Sequence, residues 1–565
     1  MNGEDRAPAA RLHLSAADDT NSIMPAWTRS RARTLISETD MSAAPYRRRV
    51  LEVACLLGIA GHVGAQGAVP LPTDVLIPVA QLREDTRIAR MALVQSQVGR
   101  TWFQSERAFT TGFDALDRGL VAPLTRRDFH RRLAPLVAAI GHGHVTLERP
   151  VPGIGFRTRL LDSTGHYLPL ALRIVDRSAY VTADLSDVPH TSRGAELVAV
   201  DGMPVVALLD EMQLFVSADG RNASFKRYQL GTNWRFHELL ELLHGPRLAS
   251  RITVRPASSA GAAVATESFV VTHTTPRELH TRHETRVGTP IDLFPPAVGL
   301  RFAGIRTGLL TVSSFYEGLL PKDMGSFDAA FERAFKTIAD SGVTDLVIDV
   351  RGNEGGNGEY PALLYSFLAS RPFRLDGRTV VASDTLSWLR YAPDAGDDVK
   401  AFAVSPRDFL DRAVDGLWLL KPELDSTRVR AYQPRDGRFT GRLYIMTDGG
   451  SFSATNAFVM LAATEHASGG RRVLFVGEEN GGDNAAGHVS GGVQQTLVLP
   501  STGERLTISL TGVVPRISSM PVRVRVPDVR VQPRGDAIAV GRDPVFDKVQ
   551  SMIADARTNS TRRKR

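Results

Sequence analysis

Sulfur chemistry is almost absent from this chain of 565 residues, which contains a single cysteine, Cys55. One cysteine cannot form an internal disulfide, a zinc site built from thiolates or a redox-active Cys-x-x-Cys pair. The sequence also lacks an internal repeat, a P-loop, an HExxH zinc-peptidase motif and a GxGxxG turn after a strand. These absences exclude a disulfide framework, thiolate zinc sites and thioredoxin-type redox chemistry, and they give no support to functions that require a P-loop, an HExxH motif or a GxGxxG turn.

Long apolar runs are also missing, and no segment approaches the ~18 residues that a membrane-spanning helix needs. Residues 46–66 place three arginines before a short apolar run that ends in small residues, which is the pattern of a secretory signal. We expect cleavage near Ala65, a leader over 1–65, and export to the periplasm or the extracellular space. The alternative is a buried helix near a folded N-terminus.

The composition is that of a folded soluble protein, with 43% hydrophobic, 23% charged and 7% aromatic residues. The formal net charge is +7, but residues 1–65 contribute +1 and the tail 557–565 contributes +5. The tail is predicted to be disordered. The body of the chain is therefore close to neutral, and nucleic acid is not an expected partner.

Periodicity divides the rest of the chain into three expected domains. An N-terminal helical domain is predicted over 66–155, where Thr125 and Asp128 form a capping pair. Short β-type runs separated by turns predict a β-rich domain over 156–290. From 291 to 556 apolar strands alternate with amphipathic helices, which predicts an α/β catalytic domain whose sheet is covered on both faces.

A glycine-rich loop follows the predicted strand 346–350. It reads RGNEGGNG and contains Gly352, Gly355, Gly356 and Gly358. Glycines allow backbone amides to point into a concavity, as an oxyanion hole or anion nest requires. The alternative is a flexible surface loop.

A strand-to-helix turn carries two serines, Ser451 and Ser453, in the segment TDGGSFSATN. Free amides and the helix dipole at a helix N-terminus favour developing negative charge, so a serine there suits nucleophilic acyl chemistry if a base reaches it. The alternative is that one of these serines is only an N-cap.

Two histidines, His142 and His144, follow the glycine that ends the 125–140 helix. They would share one side if the stretch is extended. No acidic or cysteine partner is spaced to complete a metal site, so no metal is expected. The alternative is a pair of ordinary loop histidines.

Taken in order, HGHVTL, DVRGNEGG and SFSATN resemble the motifs of the C-terminal-processing (tail-specific) serine peptidase family, with the tricorn-core-like and retinoid-binding-protein-like branches closest. VGEENGG at 476–482 resembles a further family loop, and 193–209 resembles part of a PDZ-like domain. The resemblance covers roughly residues 70–550. It implies a ClpP/crotonase-like layered α/β core, a PDZ-like β-rich module, and cofactor-free hydrolysis of peptide or protein substrates.

The resemblance also implies a role for particular residues. Ser453, which precedes an alanine as in the family motif, would be the nucleophile, and His144 the general base. The amide of Ala454 and one amide from Gly355 or Gly356 would form the oxyanion hole.

The family's other branch places a lysine base about 25 residues after the serine. Here no lysine lies between Lys421 and Lys548. Glu478 stands at the expected position and is a weak candidate for the third catalytic group, as is Glu479. His488 is a competing base.

Two departures from the family pattern keep other functions open. His142 replaces the usual aspartate and Asn456 the usual glutamate. The main prediction is an exported serine endopeptidase. The alternatives are a non-catalytic peptide- or lipid-binding protein on the same scaffold and an acyl esterase. A homo-oligomer is left open by the resemblance.

Overall fold

The computed structural model of the chain describes residues 75–149, 165–258, 264–287, 296–375, 377–414, 416–467, 473–482, 493–514 and 526–564. The expected signal sequence, Cys55 and His488 lie outside these ranges. None of the helices in the described ranges has the length and apolarity needed to cross a bilayer.

The described residues form strands and helices in a mixed order. The strands are β1 (Leu76–Ile77), β2 (Leu124–Thr125), β3 (Thr146–Glu148), β4 (Leu170–Val175), β5 (Ser178–Asp184), β6 (Glu196–Val200), β7 (Met203–Pro204), β8 (Ala249–Arg255), β9 (Glu267–Thr272), β10 (Val298–Phe302), β11 (Thr307–Val312), β12 (Asp345–Asp349), β13 (Arg378–Val381), β14 (Leu410–Val414), β15 (Leu417–Leu420), β16 (Arg442–Thr447), β17 (Val473–Gly477), β18 (Gln494–Val498), β19 (Arg505–Ser509), β20 (Gly512–Val514) and β21 (Val529–Arg530). The α-helices are α1 (Val79–Ser96), α2 (Glu106–Gly119), α3 (Arg126–Ala138), α4 (Val205–Met212), α5 (Ala223–Gly231), α6 (Arg235–His244), α7 (Pro276–Val287), α8 (Phe327–Asp340), α9 (Tyr360–Ser366), α10 (Asp397–Val404), α11 (Pro406–Phe409), α12 (Ser426–Val429), α13 (Ala454–Ala467), α14 (Gly535–Ala539) and α15 (Pro544–Lys564).

The main sheet lies in the C-terminal half and has the strand order β10-β11-β12-β16-β17-β21. Strand β10 is antiparallel to β11, and all the other neighbours are parallel. Along β12, Leu346 and Ile348 pack with helices α8 and α13, whereas Val347 packs with α15 on the opposite face. Both faces of the sheet are therefore covered, as the unbroken apolar strands predict.

The helices over this sheet begin where the sequence signals place them. The Ser326 hydroxyl accepts a hydrogen bond from the Ala329 amide at the start of α8. Helix α3 likewise begins after Thr125, whose hydroxyl accepts from the Asp128 amide. The caps satisfy amides that would otherwise have no partner, which fixes where each helix starts.

The β-rich segment forms a separate antiparallel sheet with the strand order β4-β5-β6-β8-β9, and β7 pairs with β6. Helices α4 and α6 bury leucines against one face of this sheet. Helix α5 lies between this sheet and the serine turn, and its Phe225 packs against Phe452.

The N-terminal helices share a core with distant segments of the chain. Side chains from α1, α2 and α3 pack in one cluster with residues of 381–410 and 497–510. Strand β3 pairs with β19, and the Trp388 indole nitrogen donates to the Ser96 hydroxyl at 2.7 Å. Packing therefore crosses the boundary expected near residue 155.

The expectation of a disordered tail from residue 557 is wrong, because α15 continues to Lys564. The Arg557 guanidinium donates to the Asp345 carboxylate at 2.7 Å, and Arg442 donates to the same group. The Asp345 side chain is fully buried at the start of β12. A buried carboxylate needs cationic partners, and the tail supplies one of them.

Replacing Arg557 should therefore destabilise the fold. We expect Arg557→Ala to lower the free energy of unfolding by about 1–2 kcal/mol, because a charge-assisted bond to a buried carboxylate is lost and the arginine is partly exposed. Urea unfolding monitored by circular dichroism measures the change. Arg177→Ala, which removes an exposed ion pair with Asp210, is the control. Equal stability of both variants would contradict the assigned contact.

Candidate active site

Three of the loops predicted to carry chemistry meet at one edge of the main sheet. The glycine loop follows β12, the serine turn follows β16, and the segment 478–482 follows β17. These three strands are parallel neighbours, so their carboxyl ends lie side by side. That edge is where open α/β sheets place their ligand sites.

The two serines of the turn have different surroundings. The Ser451 hydroxyl is buried, donates to the Val350 carbonyl at 2.8 Å and accepts from the Asp448 amide at 3.1 Å. It ties the serine turn to the end of β12. Ser453 immediately precedes α13 and has a φ of 56°, a strained backbone conformation for a residue other than glycine.

Asp448 and Asn353 connect the serine turn with the glycine loop. The Asp448 carboxylate accepts from the amides of Gly352 and Gly450 at 2.8 and 2.9 Å. The Phe452 amide donates to the Asn353 carbonyl at 3.1 Å. These bonds hold the two loops in one fixed arrangement.

The His144 imidazole reaches the second serine. Its Nε2 lies 2.9 Å from Ser453 Oγ, although the two residues are 309 positions apart. The ring of Phe452 stacks on the imidazole with centroids 4.6 Å apart, and Phe225 packs behind Phe452. The aromatic side chains fix the plane of the imidazole.

The loop that carries His144 is a turn rather than the extended stretch considered from the sequence. The Val145 amide donates to the His142 carbonyl, and β3 begins only at Thr146. The His142 Nδ1 accepts from the His144 amide at 3.1 Å. An aspartate oxygen at this position could accept the same bond, so His142 supplies a local acceptor as an aspartate would.

Asp219 is a residue of the candidate site that the sequence analysis missed. Its carboxylate accepts from the Gly143 amide at 2.8 Å, and it lies just before α5. One carboxylate oxygen of Asp219 and one ring nitrogen each of His142 and His144 lie within 4.8 Å of one another. Asp219 belongs to no motif, so only the folded chain shows this contact.

Burial dominates the protonation of both histidines. It lowers the pKa of His144 to about 4. Burial, and then the neighbouring His144, lowers the pKa of His142 well below its usual range. Both imidazoles are therefore neutral at pH 7.

The glycine loop presents one open amide next to the serine. The Gly355 amide donates to Asn353 Oδ1 at 2.9 Å and is therefore engaged, whereas no described residue accepts from the amides of Gly356 or Ala454. A Cβ at Gly355 would come within 2.8 Å of the Ala454 nitrogen and of Ser453 Cβ. Only glycine allows this approach.

Glu478 does not contact the histidine, contrary to the expectation that it orients the base. Its carboxylate accepts from the Arg173 guanidinium at 2.8 Å, and burial raises its pKa in spite of that partner. His144 Nδ1 is buried and has no partner within the described residues, so neither Glu478 nor Glu479 bonds to it. The bond from Arg173 directs Glu478 toward the β-rich module instead.

The second departure from the family pattern, Asn456, lies inside α13. Its side chain is buried, and its Nδ2 lies 4.0 Å from the Met460 sulfur. A Cβ at Gly482 would come within 2.3 Å of the Asn456 side chain. The amide therefore packs beneath the segment that follows β17.

Comparison with known proteins supports the fold and the chemistry. Residues 306–511 match the model of peptidase family S41. The structure of mature CPAF has 14% sequence identity and a TM-score of 0.58, covering 85% of this chain and 98% of that one. Mature CPAF complexed with lactacystin gives 14% identity and a TM-score of 0.54, covering 85% and 99%.

A third solved structure, the photosystem II D1 C-terminal processing protease, has 14% identity and a TM-score of 0.37, covering 80% of this chain and 93% of that one. Comparison with curated protein sequences gives no significant match. The shared fold therefore rests on CPAF, and the peptidase assignment on the domain matched at residues 306–511. Residues 306–511 form a peptidase family S41 domain, which makes the chain a serine-type peptidase.

Proposed function

We propose that the chain is an exported endopeptidase of the tail-specific type, which cleaves peptide bonds through an acyl-enzyme on Ser453 with His144 as the base. The observation that carries the proposal is the 2.9 Å contact between His144 Nε2 and Ser453 Oγ. It pairs a nucleophile, Ser453, that lies inside the matched peptidase domain with a base that the N-terminal part of the chain brings to it.

The proposed first step is proton transfer. A neutral His144 accepts the Ser453 proton while the serine oxygen attacks the scissile carbonyl, and the imidazolium then protonates the leaving amine. A water molecule then gives its proton to His144 and attacks the acyl-enzyme carbonyl, and the imidazolium returns a proton to Ser453 as the acyl group leaves. No lysine lies between Lys421 and Lys548, which supports a histidine base over a lysine base.

The proposed oxyanion hole consists of the amides of Gly356 and Ala454. Both lack a partner in the described residues, and the Ala454 amide is the first of helix α13, where the dipole also favours negative charge. The Gly355 amide, an alternative on sequence grounds, is occupied by Asn353.

Asp219 is our proposal for the acidic group in place of Glu478. It holds the histidine turn through the Gly143 amide and places a carboxylate within 4.8 Å of an imidazole nitrogen. A negative charge at that distance stabilises the imidazolium that forms during catalysis.

The preference for chain termini is assigned to the β-rich module, which we propose is PDZ-like. Its helix α5 lies directly on the serine turn, because a Cβ at Gly449 would come within 2.2 Å of the Ser224 carbonyl. A peptide held by the module would therefore be delivered beside Ser453. Export to the periplasm or extracellular space rests on the 46–66 pattern alone.

The nucleophile assignment predicts a difference between the two serines. Ser453→Ala and His144→Ala should each lower kcat for peptide hydrolysis by about 10⁴-fold or more, because the nucleophile or its base is lost. Ser451→Ala should keep measurable hydrolysis and lower stability by about 1–2 kcal/mol, because its bonds are structural. Full activity of Ser453→Ala would overturn the assignment.

The buried base predicts an unusual acid limb in the pH profile. His144 must be neutral to accept a proton, and its pKa in the free enzyme is about 4. The acid limb of kcat/KM should therefore lie near pH 4, with activity retained at pH 5–6. The profile is measured with chelator present and with circular dichroism as a check on folding. A limb near 6.5 would contradict burial of the base.

The oxyanion assignment predicts a difference between two glycines of the same loop. A Cβ at Gly356 would lie 2.1 Å from the Phe315 carbonyl carbon, and its φ is 140°. Gly356→Ala should lower kcat by about 10²–10³-fold, because the loop must move and an oxyanion donor is displaced. A Cβ at Gly358 meets nothing within 4 Å, so Gly358→Ala should stay within about twofold of wild type. Equal kcat values for the two variants would contradict the assignment.

A further inference from the structure

The turn that carries His142 and His144 forms, together with Asp219, a buried cluster of potential ligand groups. His142, His144 and Asp219 are 2%, 9% and 4% exposed, and each offers a ligand atom within 4.8 Å of the other two. Two of the ring nitrogens, His142 Nε2 and His144 Nδ1, are buried and have no hydrogen-bond partner in the described part of the chain. Buried polar atoms without a partner are costly, and a ligand removes the cost.

The remaining ring nitrogens are already in use. His144 Nε2 faces Ser453 Oγ, and His142 Nδ1 accepts from the His144 amide. The unpartnered nitrogens are therefore the ones able to take a ligand. The Asp219 carboxylate accepts from the Gly143 amide, and a carboxylate offers about four lone-pair sites in all.

Two imidazoles and a carboxylate are a donor set that suits zinc, which is bound at ~2.0–2.2 Å by such groups. Tetrahedral ligands at that distance are ~3.4 Å apart. Ligand atoms that lie within 4.8 Å of one another would therefore have to close by at most about 1.4 Å.

We propose that His142 Nε2, His144 Nδ1 and Asp219 form an inhibitory zinc site that turns off the catalytic base. A neutral imidazole carries one proton, and a metal on Nδ1 forces that proton onto Nε2. Nε2 then donates to Ser453 Oγ and has no lone pair to accept its proton. Zinc on Nδ1 therefore prevents Nε2 of the same imidazole from accepting the serine proton.

The inhibitory part of this inference rests on the proposed function, whereas the zinc-binding part does not. The first experiment is therefore equilibrium dialysis of the full-length Ser453→Ala protein with zinc alone. We expect one zinc per chain. His142→Asn keeps an oxygen for the His144 amide but lacks a ring ligand, so it should weaken zinc binding by at least about tenfold. His190→Ala, which removes an exposed histidine, should not change it.

The second experiment measures peptide hydrolysis by the chelator-treated wild type over a zinc titration. We expect loss of kcat in parallel with zinc occupancy, full recovery with chelator, and at least a tenfold higher inhibitory concentration for His142→Asn. The result is expressed as the ratio of activity with and without zinc, so a lower basal rate in the variant does not affect it.

The outcomes separate the two proposals. No zinc binding by Ser453→Ala, or binding that His142→Asn and Asp219→Asn leave unchanged, overturns the site. Binding at the site without inhibition of an active enzyme overturns the inhibitory role. A wild type with no peptidase activity but with zinc bound at these residues overturns the proposed function and leaves the zinc site standing.

Discussion

The hydrogen bond between His144 Nε2 and Ser453 Oγ is the interaction on which the site depends. It joins a turn after α3 to a turn after β16, so the N-terminal helices and the main sheet must be held together for it to exist. The common core of α1–α3 with 381–410 and 497–510 attaches the N-terminal helices to segments of the C-terminal half of the chain. Phe452 stacks on the imidazole, and Asp219 holds the turn that carries it through the Gly143 amide. Stability and catalysis are therefore linked in this fold.

The glycines are the second constraint, because three loops and a helix converge on a small volume. Gly449 and Gly450 allow α5 to lie on the serine turn, and Gly355 allows the backbone at Ala454 to approach. Any side chain at these positions would separate the surfaces. The loop that forms the proposed oxyanion hole and the module that we propose binds the substrate are thus in direct contact.

The sequence predicted the helices and strands better than the contacts between residues that are distant along the chain. Alternating apolar strands and capped helices predicted the doubly covered sheet, because capping and periodicity are local signals. The residues alone left the choice between Ser451 and Ser453 open, and the resemblance favoured Ser453; in the structure the Ser451 hydroxyl bonds to the Val350 carbonyl. Asp219 had no local signal, since its contact with Gly143 spans 76 positions. The prediction of a disordered tail was wrong because Arg557 bonds to the buried Asp345. That partner is 212 positions away in the sequence, so no local pattern in the tail indicates it.

The most direct test of the account is peptide-mapping mass spectrometry of the protein after reaction with a fluorophosphonate, which phosphonylates nucleophilic serines. The account predicts one adduct, on Ser453, that forms rapidly in wild type and much more slowly in His144→Ala. An adduct on Ser451 or on another serine, or an adduct on Ser453 whose rate does not depend on His144, would contradict it.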